Sequence, residues 1–200
     1  MYNFPKGRGS VEILRLILFL GLVLHKVVWE VLKKGVKTTV TPKNISVSSW
    51  KRCVKFSKGI VLLFLVFQTL FLNLFPISQQ STVLKVIGTA IYFIGLALAL
   101  IGRLQLGDNW ANIEDGQFSP QQSLVTNGIY RYIRHPIYTG DILLLIGLEL
   151  ALNSWLVLGV LIPVLVVIKQ AIAEETLLNQ AIPAYKEYSR GTKRFLPFIL

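Results

Sequence analysis

Cysteine is nearly absent from this 200-residue chain: Cys53 stands alone, which excludes an intrachain disulfide and a thiolate metal cluster. Histidine is almost as scarce. His25 and His135 lie on different segments, so a zinc site lacks its usual donors and no metal is expected. No Gly-x-Gly-x-x-Gly run occurs, leaving a Rossmann-type nucleotide site without support. Acids are few, 10 Asp and Glu against 21 Lys and Arg, for a net charge of +11. Such an excess could suit nucleic acid, but here the basic residues fall between apolar runs, and no nucleic-acid partner is expected. No repeat of fixed period or low-complexity tract is visible, and residues 1–200 read as one domain.

What the chain has instead is hydrophobic length. Hydrophobic residues make up 53% of it and its mean hydropathy is +0.58, more than one soluble core of this size requires. Crossing a hydrocarbon layer of ~30 Å takes roughly 20 helical residues. Four runs approach or meet that length, at residues 59–75, 83–102, 137–152 and 154–172. A fifth, 13–32, is interrupted by Arg15, His25, Lys26 and Glu30, whose charged ends must snorkel. A signal peptide is the rival reading of that segment, because Lys6 and Arg8 precede a short apolar run. No small-x-small cleavage site follows Leu24, which favours a retained helix. The expected fold is an all-α integral membrane protein with five transmembrane helices, the last two forming a helical hairpin.

Charge asymmetry orients the spans. Between Lys33 and Lys58 there are eight Lys or Arg and no acid, whereas residues 76–82 carry no charge. Basic loops stay cytoplasmic, so the first loop is expected inside, the N-terminus outside, and the C-terminus inside. Arg103, Arg131 and Arg134 in the long connector, and Lys186, Arg190, Lys193 and Arg194 in the tail, agree with that assignment. Residues 36–58, with Trp50, Val54 and Phe56 among lysines, read as an interfacial segment on anionic lipid.

Polar residues gather at two places. The connector 103–135 is long and rich in aromatics (Trp110, Phe118, Tyr130, Tyr132) and glycines (Gly107, Gly116, Gly128), which argues against disorder and for a lid or pocket wall. It ends in residues 128–140, where Pro136 disfavours a helical His135 and implies an extended approach, while Pro136 itself suits a helix's first turn. The fourth span then starts at the cytoplasmic surface with unpaired N–H groups beside Arg134 and His135, an arrangement suited to an anion. Tyr138 sits half a turn further, and Gly140 permits close approach of a ligand or another backbone. An interfacial anchor of Arg and Tyr accounts for the same composition. The second cluster, Glu174-Glu175 after the fifth span, reads either as site residues or as the charged face of a helix running to about Ala181. Successive helical positions point about 100° apart, so only one of the two glutamates is expected to face a given pocket. A tight turn near Asn153 makes spans four and five antiparallel and brings the two clusters together. Asp141, about one turn from the cytoplasmic end, is a minor candidate to border that pocket, and Glu149, nearer the outer turn, a lesser one that can reach headgroups instead.

Together Arg134-His135-Pro136-x-Tyr138-x-Gly140, the hydrophobic hairpin, Glu174-Glu175-x-x-Leu178, Tyr185-x-x-Tyr188 and Arg194-x-x-Pro197 resemble the isoprenylcysteine carboxyl methyltransferase family and its relatives, the phospholipid N-methyltransferases. Leu106-Gly107-Asp108-Asn109-Trp110 and residues 124–130 add to the resemblance, which covers roughly the C-terminal half. It implies S-adenosylmethionine as cofactor, held on the cytoplasmic side by Gln122, Ser123, Leu124, Val125, Tyr130, His135, Pro136, Ile137, Tyr138 and Glu174. It further implies Arg134, His135 and Glu175 in catalysis, with Lys169 and Arg194 toward the acceptor.

Two departures from the family pattern bear on substrate. Where the isoprenylcysteine branch has an arginine four residues before the glutamate pair, this chain has Gln170; and Ala181-Ile182-Pro183-Ala184-Tyr185 replaces a Phe-Gly spacing. The expected activity is methylation of a lipophilic carboxylate arriving from the bilayer, with methylation of a phospholipid amine as the alternative. A non-catalytic binding or transport protein is the reading from another class, disfavoured because the polar groups lie at one membrane surface and not at mid-depth.

Overall fold

A computed structural model describes residues 8–34, 49–79, 81–109 and 123–197. Among the described residues the architecture is all-helical: α1 (Arg8–Lys34), α2 (Ser49–Phe71), α3 (Thr82–Leu106), α4 (Pro136–Ala151), α5 (Leu161–Ala181) and α6 (Tyr185–Gly191). All five apolar runs are therefore helices. Most of the first basic loop, residues 35–48, and the connector residues Trp110, Gly116, Phe118 and Gln122 lie outside the described residues.

Two helical stretches are long and apolar enough to cross a membrane unaided, Thr82–Leu106 and Trp155–Ala181. The others fall short for identifiable reasons. α4 has 16 residues, about 24 Å at 1.5 Å per residue, and α1 carries Arg15, Lys26 and Glu30 along its length. The apolar part of α2 is confined to Gly59–Phe71.

The tightest packing joins α3 to α4. A Cβ added at Gly95 would lie 2.3 Å from the Leu144 amide nitrogen, and one at Gly147 would lie 2.2 Å from that of Tyr92. Only glycine allows these backbones to touch, and small residues are what let helices approach where lipid removes the hydrophobic drive between them. Gly140 belongs to the same seam: its Cβ would meet the Ala99 nitrogen at 2.4 Å. Of the two roles its size allows, it serves backbone contact and not a ligand. α1 closes over this pair with Leu18 and Leu22, which join Tyr92, Leu96, Leu144 and Leu148 in one core, and the Tyr92 hydroxyl donates to the Leu18 carbonyl at 2.7 Å.

The expected hairpin of the last two spans is open along its length. After α4, Asn153 adopts a positive φ of 57° and a 3₁₀ turn, Trp155–Val160, intervenes before α5. Through its membrane portion α5 leaves Leu161, Ile162, Leu165 and Val166 exposed, and its buried residues are Ala171, Glu174 and Glu175. The long partner of α4 is thus α3. α5 returns to α4 only at the end that carries the two glutamates.

Candidate active site

The start of α4 is shaped by its proline. Pro136 occupies the first turn, and His135 before it is non-helical at φ −123°, ψ 58°. The expected extended approach holds only near that point: Gly128–Arg131 forms a 3₁₀ turn, opened by Gly128 at φ 58°, and the Gln105 side chain accepts from the Ile129 N–H at 2.8 Å. Residues 132–135 then pair with the tail. Ile133 and Lys193 form a parallel bridge, with Arg134 N donating to Lys193 O at 2.8 Å and His135 N to Arg194 O at 3.1 Å. The Thr139 hydroxyl donates to the Phe195 carbonyl at 3.0 Å. The C-terminal tail is therefore a wall of the site.

Both glutamates face His135. The expectation that only one could do so is corrected, because two long side chains on adjacent positions converge on opposite nitrogens of one imidazole, Glu175 on Nε2 and Glu174 toward Nδ1. His135, Glu174 and Glu175 are 7%, 9% and 8% exposed. Glu175 Oε1 accepts from Arg134 Nε at 3.0 Å, His135 Nε2 at 3.1 Å and Arg194 Nε at 3.0 Å; its Oε2 accepts from Arg194 Nη2 at 2.7 Å. Buried carboxylates need such partners. The hydrogen bond to Glu175 in turn raises the proton affinity of the Arg194 guanidinium above its ordinary value, against a smaller opposing effect of burial. Arg134 Nη1 also donates to the Ser189 carbonyl at 2.9 Å and to that of Thr192.

Glu174 has different company. The Tyr138 hydroxyl and Gln170 Nε2, at 3.2 Å, both donate to its Oε1. His135 donates from Nε2 to Glu175, which leaves Nδ1 turned toward Glu174 Oε2 at 3.8 Å. The imidazole is held flat between Tyr138, stacked at 5.5 Å with an interplanar angle of 17°, and Phe195 at 5.8 Å.

Beside this cluster lies an open cleft of about 450 Å³ between the 124–131 segment and α6, lined by Leu124, Thr126, Arg131, Glu187, Tyr188 and Thr192. That volume is within the range of small-molecule sites, ~300–1,000 Å³. Tyr188 ties its two walls, its hydroxyl donating to the Tyr130 carbonyl at 2.6 Å; burial pushes that phenol up to about 12, against opposing effects of Arg134 and a Thr192 hydrogen bond.

Other sequence-designated residues are placed variously. Ser123 is fastened to Asn109 Oδ1 through its N–H at 2.8 Å, and Val125 is partly buried. Tyr130 is buried with its hydroxyl on the Gly102 carbonyl at 3.2 Å. Pro136 and Ile137 press against α3, each 3.2 Å from a Cβ built at Gly102, so their side chains support the site from behind. Lys169 is exposed and outside the cluster. Asp141 does not border the pocket: it pairs with His25 Nε2 at 3.0 Å and fastens α1 to α4. Glu149 does not reach headgroups; it is 3% exposed and accepts from Gln68 Nε2 at 2.8 Å.

Ser189, Thr192 and Phe195 escaped sequence reasoning because they act mainly through backbone carbonyls, which residue type does not report. Gln170 was visible only as a departure, and the structure bonds it to Glu174.

Compared with known proteins, residues 83–184 match the family model described as phospholipid methyltransferase. Protein-S-isoprenylcysteine O-methyltransferase of Xenopus laevis is 31% identical over 130 residues, 64% of this chain and 45% of that protein. The cobalt-zinc-cadmium resistance protein CzcN of Cupriavidus metallidurans is 33% identical over 107 residues, 52% of this chain and 46% of that protein. Each of these alignments thus spans less than half of the relative. A solved structure of the eukaryotic intramembrane Ras methyltransferase, isoprenylcysteine carboxyl methyltransferase, superposes with a TM-score of 0.58 over 93% of this chain and 68% of that one, at 21% identity. That likeness concerns the fold.

Proposed function

The chain belongs to the phospholipid methyltransferase family, and from that premise we propose that it is an integral membrane enzyme using S-adenosylmethionine to methylate a lipophilic acceptor, with a carboxylate favoured. One observation carries the reading: two motifs some 35 residues apart, Arg134 to Tyr138 and Glu174-Glu175, are joined by direct hydrogen bonds at one end of the helices. The topology that accompanies it has all five long helices crossing the bilayer, the last two as an antiparallel pair, the N-terminus outside and this cluster cytoplasmic. It rests on the basic residues Arg103, Arg131, Arg134, Lys186, Arg190, Lys193 and Arg194, all of which belong to that end. Residues 1–200 are taken as one domain.

The residues present fit the cofactor. A molecule with an ammonium, a carboxylate and ribose hydroxyls needs both acceptors and donors, and here a buried carboxylate pair sits among arginine, histidine and tyrosine, next to a cleft of suitable size. When bound, S-adenosylmethionine supplies the methyl group on a sulfonium. Glu174 and Tyr138 offer an acceptor and a hydroxyl for its amino group or ribose. Leu124 lines the cleft and Tyr130 supports it through the carbonyl bonded to Tyr188; the family pattern assigns Gln122, Ser123 and Val125 to the same cofactor. Glu175, engaged by three cationic or imidazole donors, holds Arg134, His135 and Arg194 in place, so it is a positioning residue. The tail wall and the aromatic pair around His135 exclude water, which favours a displacement whose main demand is alignment.

A carboxylate acceptor, with a reference pKa near 4, is ionised already and needs no base. Arg194, bound to Glu175 through Nε and Nη2, is the cation of the cluster assigned to it, with Lys169 outside the cluster as the other. A phospholipid amine is the second reading, favoured by Gln170 in place of an arginine and by its bond to Glu174. An ammonium must lose a proton first, and His135 Nδ1 is the group available. To distinguish the two, membranes containing the chain are incubated with methyl-labelled cofactor and the lipid extract is treated with base. Base-labile label is the expected result; base-stable label overturns the carboxylate assignment.

A further inference from the structure

A second polar site lies at the end of the helices opposite Glu174 and Glu175. There, a cavity of about 160 Å³ is lined by Arg15, Lys85 and Asn73 together with Val11, Leu14 and Pro76. Its volume is far above the ~10–15 Å³ that holds one water. Its construction is unusual for the edge of a membrane helix bundle. Arg15 is 8% exposed, yet all its partners are neutral: Nη1 donates to the carbonyls of Gln68 at 3.2 Å and Thr69 at 2.9 Å, and Nη2 to that of Leu72 at 2.7 Å and to Asn73 Oδ1. The guanidinium is solvated by helix-end carbonyls, and among the described residues its charge has no counter-ion.

Lys85 brings a second positive charge to the same cavity, and its ammonium has no hydrogen-bond or ion-pair partner among the described residues. The nearby buried acid, Glu149, is engaged by Gln68 at 2.8 Å and does not line the cavity. The walls are held by interlocked turns: Ile77 N donates to Asn153 O at 3.0 Å, Trp155 N to Phe75 O at 2.9 Å, and Asn153 Nδ2 to Ser78 O at 2.7 Å. On the same two helices, Leu16 and Leu20 of α1 and Val83, Val86 and Ile87 of α3 stand exposed.

We propose that this cavity binds the phosphate of an anionic glycerophospholipid, its acyl chains lying along the exposed faces of α1 and α3. Two cations without a paired acid among the described residues select a lipid of net negative charge over a zwitterionic one. The exposed apolar side chains of the two helices that carry Arg15 and Lys85 select a lipid over a free anion. The site is separate from the candidate active site and does not depend on its assignment.

Native mass spectrometry of the full chain released from bilayers of equal parts phosphatidylglycerol and phosphatidylcholine tests it. One phosphatidylglycerol is expected to remain bound in preference to phosphatidylcholine. Lys85→Gln should weaken that preference about fivefold, the effect of one basic residue near anionic lipid. Arg15→Gln should abolish it, but this variant also loosens α1 from α2, so Lys85→Gln decides because its ammonium has no partner among the described residues. Equal retention of both lipids, or a preference unchanged in Lys85→Gln, overturns the proposal. Competition by inorganic phosphate at millimolar concentration in detergent, matching that of lipid, overturns the lipid assignment in favour of a free anion.

Discussion

Glu175 is the residue whose loss should be felt most widely. It is the shared acceptor of Arg134, His135 and Arg194, and removing one member of a buried charge network leaves the others uncompensated, at a cost of about 3–5 kcal/mol. Glu175→Ala is therefore expected to lower the thermal unfolding midpoint measured in detergent, while Lys169→Ala, on an exposed side chain, leaves it unchanged. An unaltered midpoint for Glu175→Ala contradicts the clamp. Tyr138→Phe is the complementary change. It deletes the hydroxyl bonded to Glu174, and losing a hydrogen bond to a charged group costs ~1.5–3 kcal/mol, so the midpoint should fall here too, by less than in Glu175→Ala. Tyr188 gives a pH dependence. Its folded pKa is raised to about 12 from ~10 in the unfolded chain, so the stabilising protonated form is fully present below pH 10. Stability is lost as pH rises from 10 to 12, less steeply in Tyr188→Phe than in wild type, and equal slopes across that window would reverse the attribution.

Among the elements, the glycine seam between α3 and α4 fixes where the site can be. It sets α4 against α3 and so places Pro136 and Ile137 against Gly102, leaving His135 and Tyr138 to meet α5. Gly95→Leu would put a side chain where a Cβ already falls 2.3 Å from a backbone nitrogen; backbone cannot yield as a flexible side chain can, and failure to accumulate folded protein is expected on expression and size-exclusion analysis. Gly159→Ala, with open space around its Cβ, is the matched control. The tail is the other determining element. Removing residues 192–200 deletes the carbonyls that hold Arg134 and His135, and cofactor binding should be lost while the helices remain, as read by circular dichroism.

For the whole molecule, the apolar runs were legible because hydropathy reports helices in lipid directly: each of the five became a helix, and the end of α5 fell at Ala181 as Pro183 implied. The proximity of 134–138 to 174–175 was legible too, since a turn near Asn153 forces it. Which helices pack along their length was not, because the α3–α4 seam is written in glycines spaced on two separate runs, and glycine carries no hydrophobic signal. Nor were the roles of Asp141 and Glu149, whose partners His25 and Gln68 come from helices more than 80 residues away. The tail wall, made of carbonyls, left almost no trace in residue type.

The central claim is that these convergent residues form a methyl-donor pocket, and calorimetric titration of the purified protein in lipid nanodiscs with S-adenosylhomocysteine tests it most directly. Saturable one-site binding is expected, weakened at least tenfold in Glu174→Ala and His135→Ala together but retained in Lys85→Gln. Absence of binding in several lipids, or binding unchanged by the double substitution, would contradict the account.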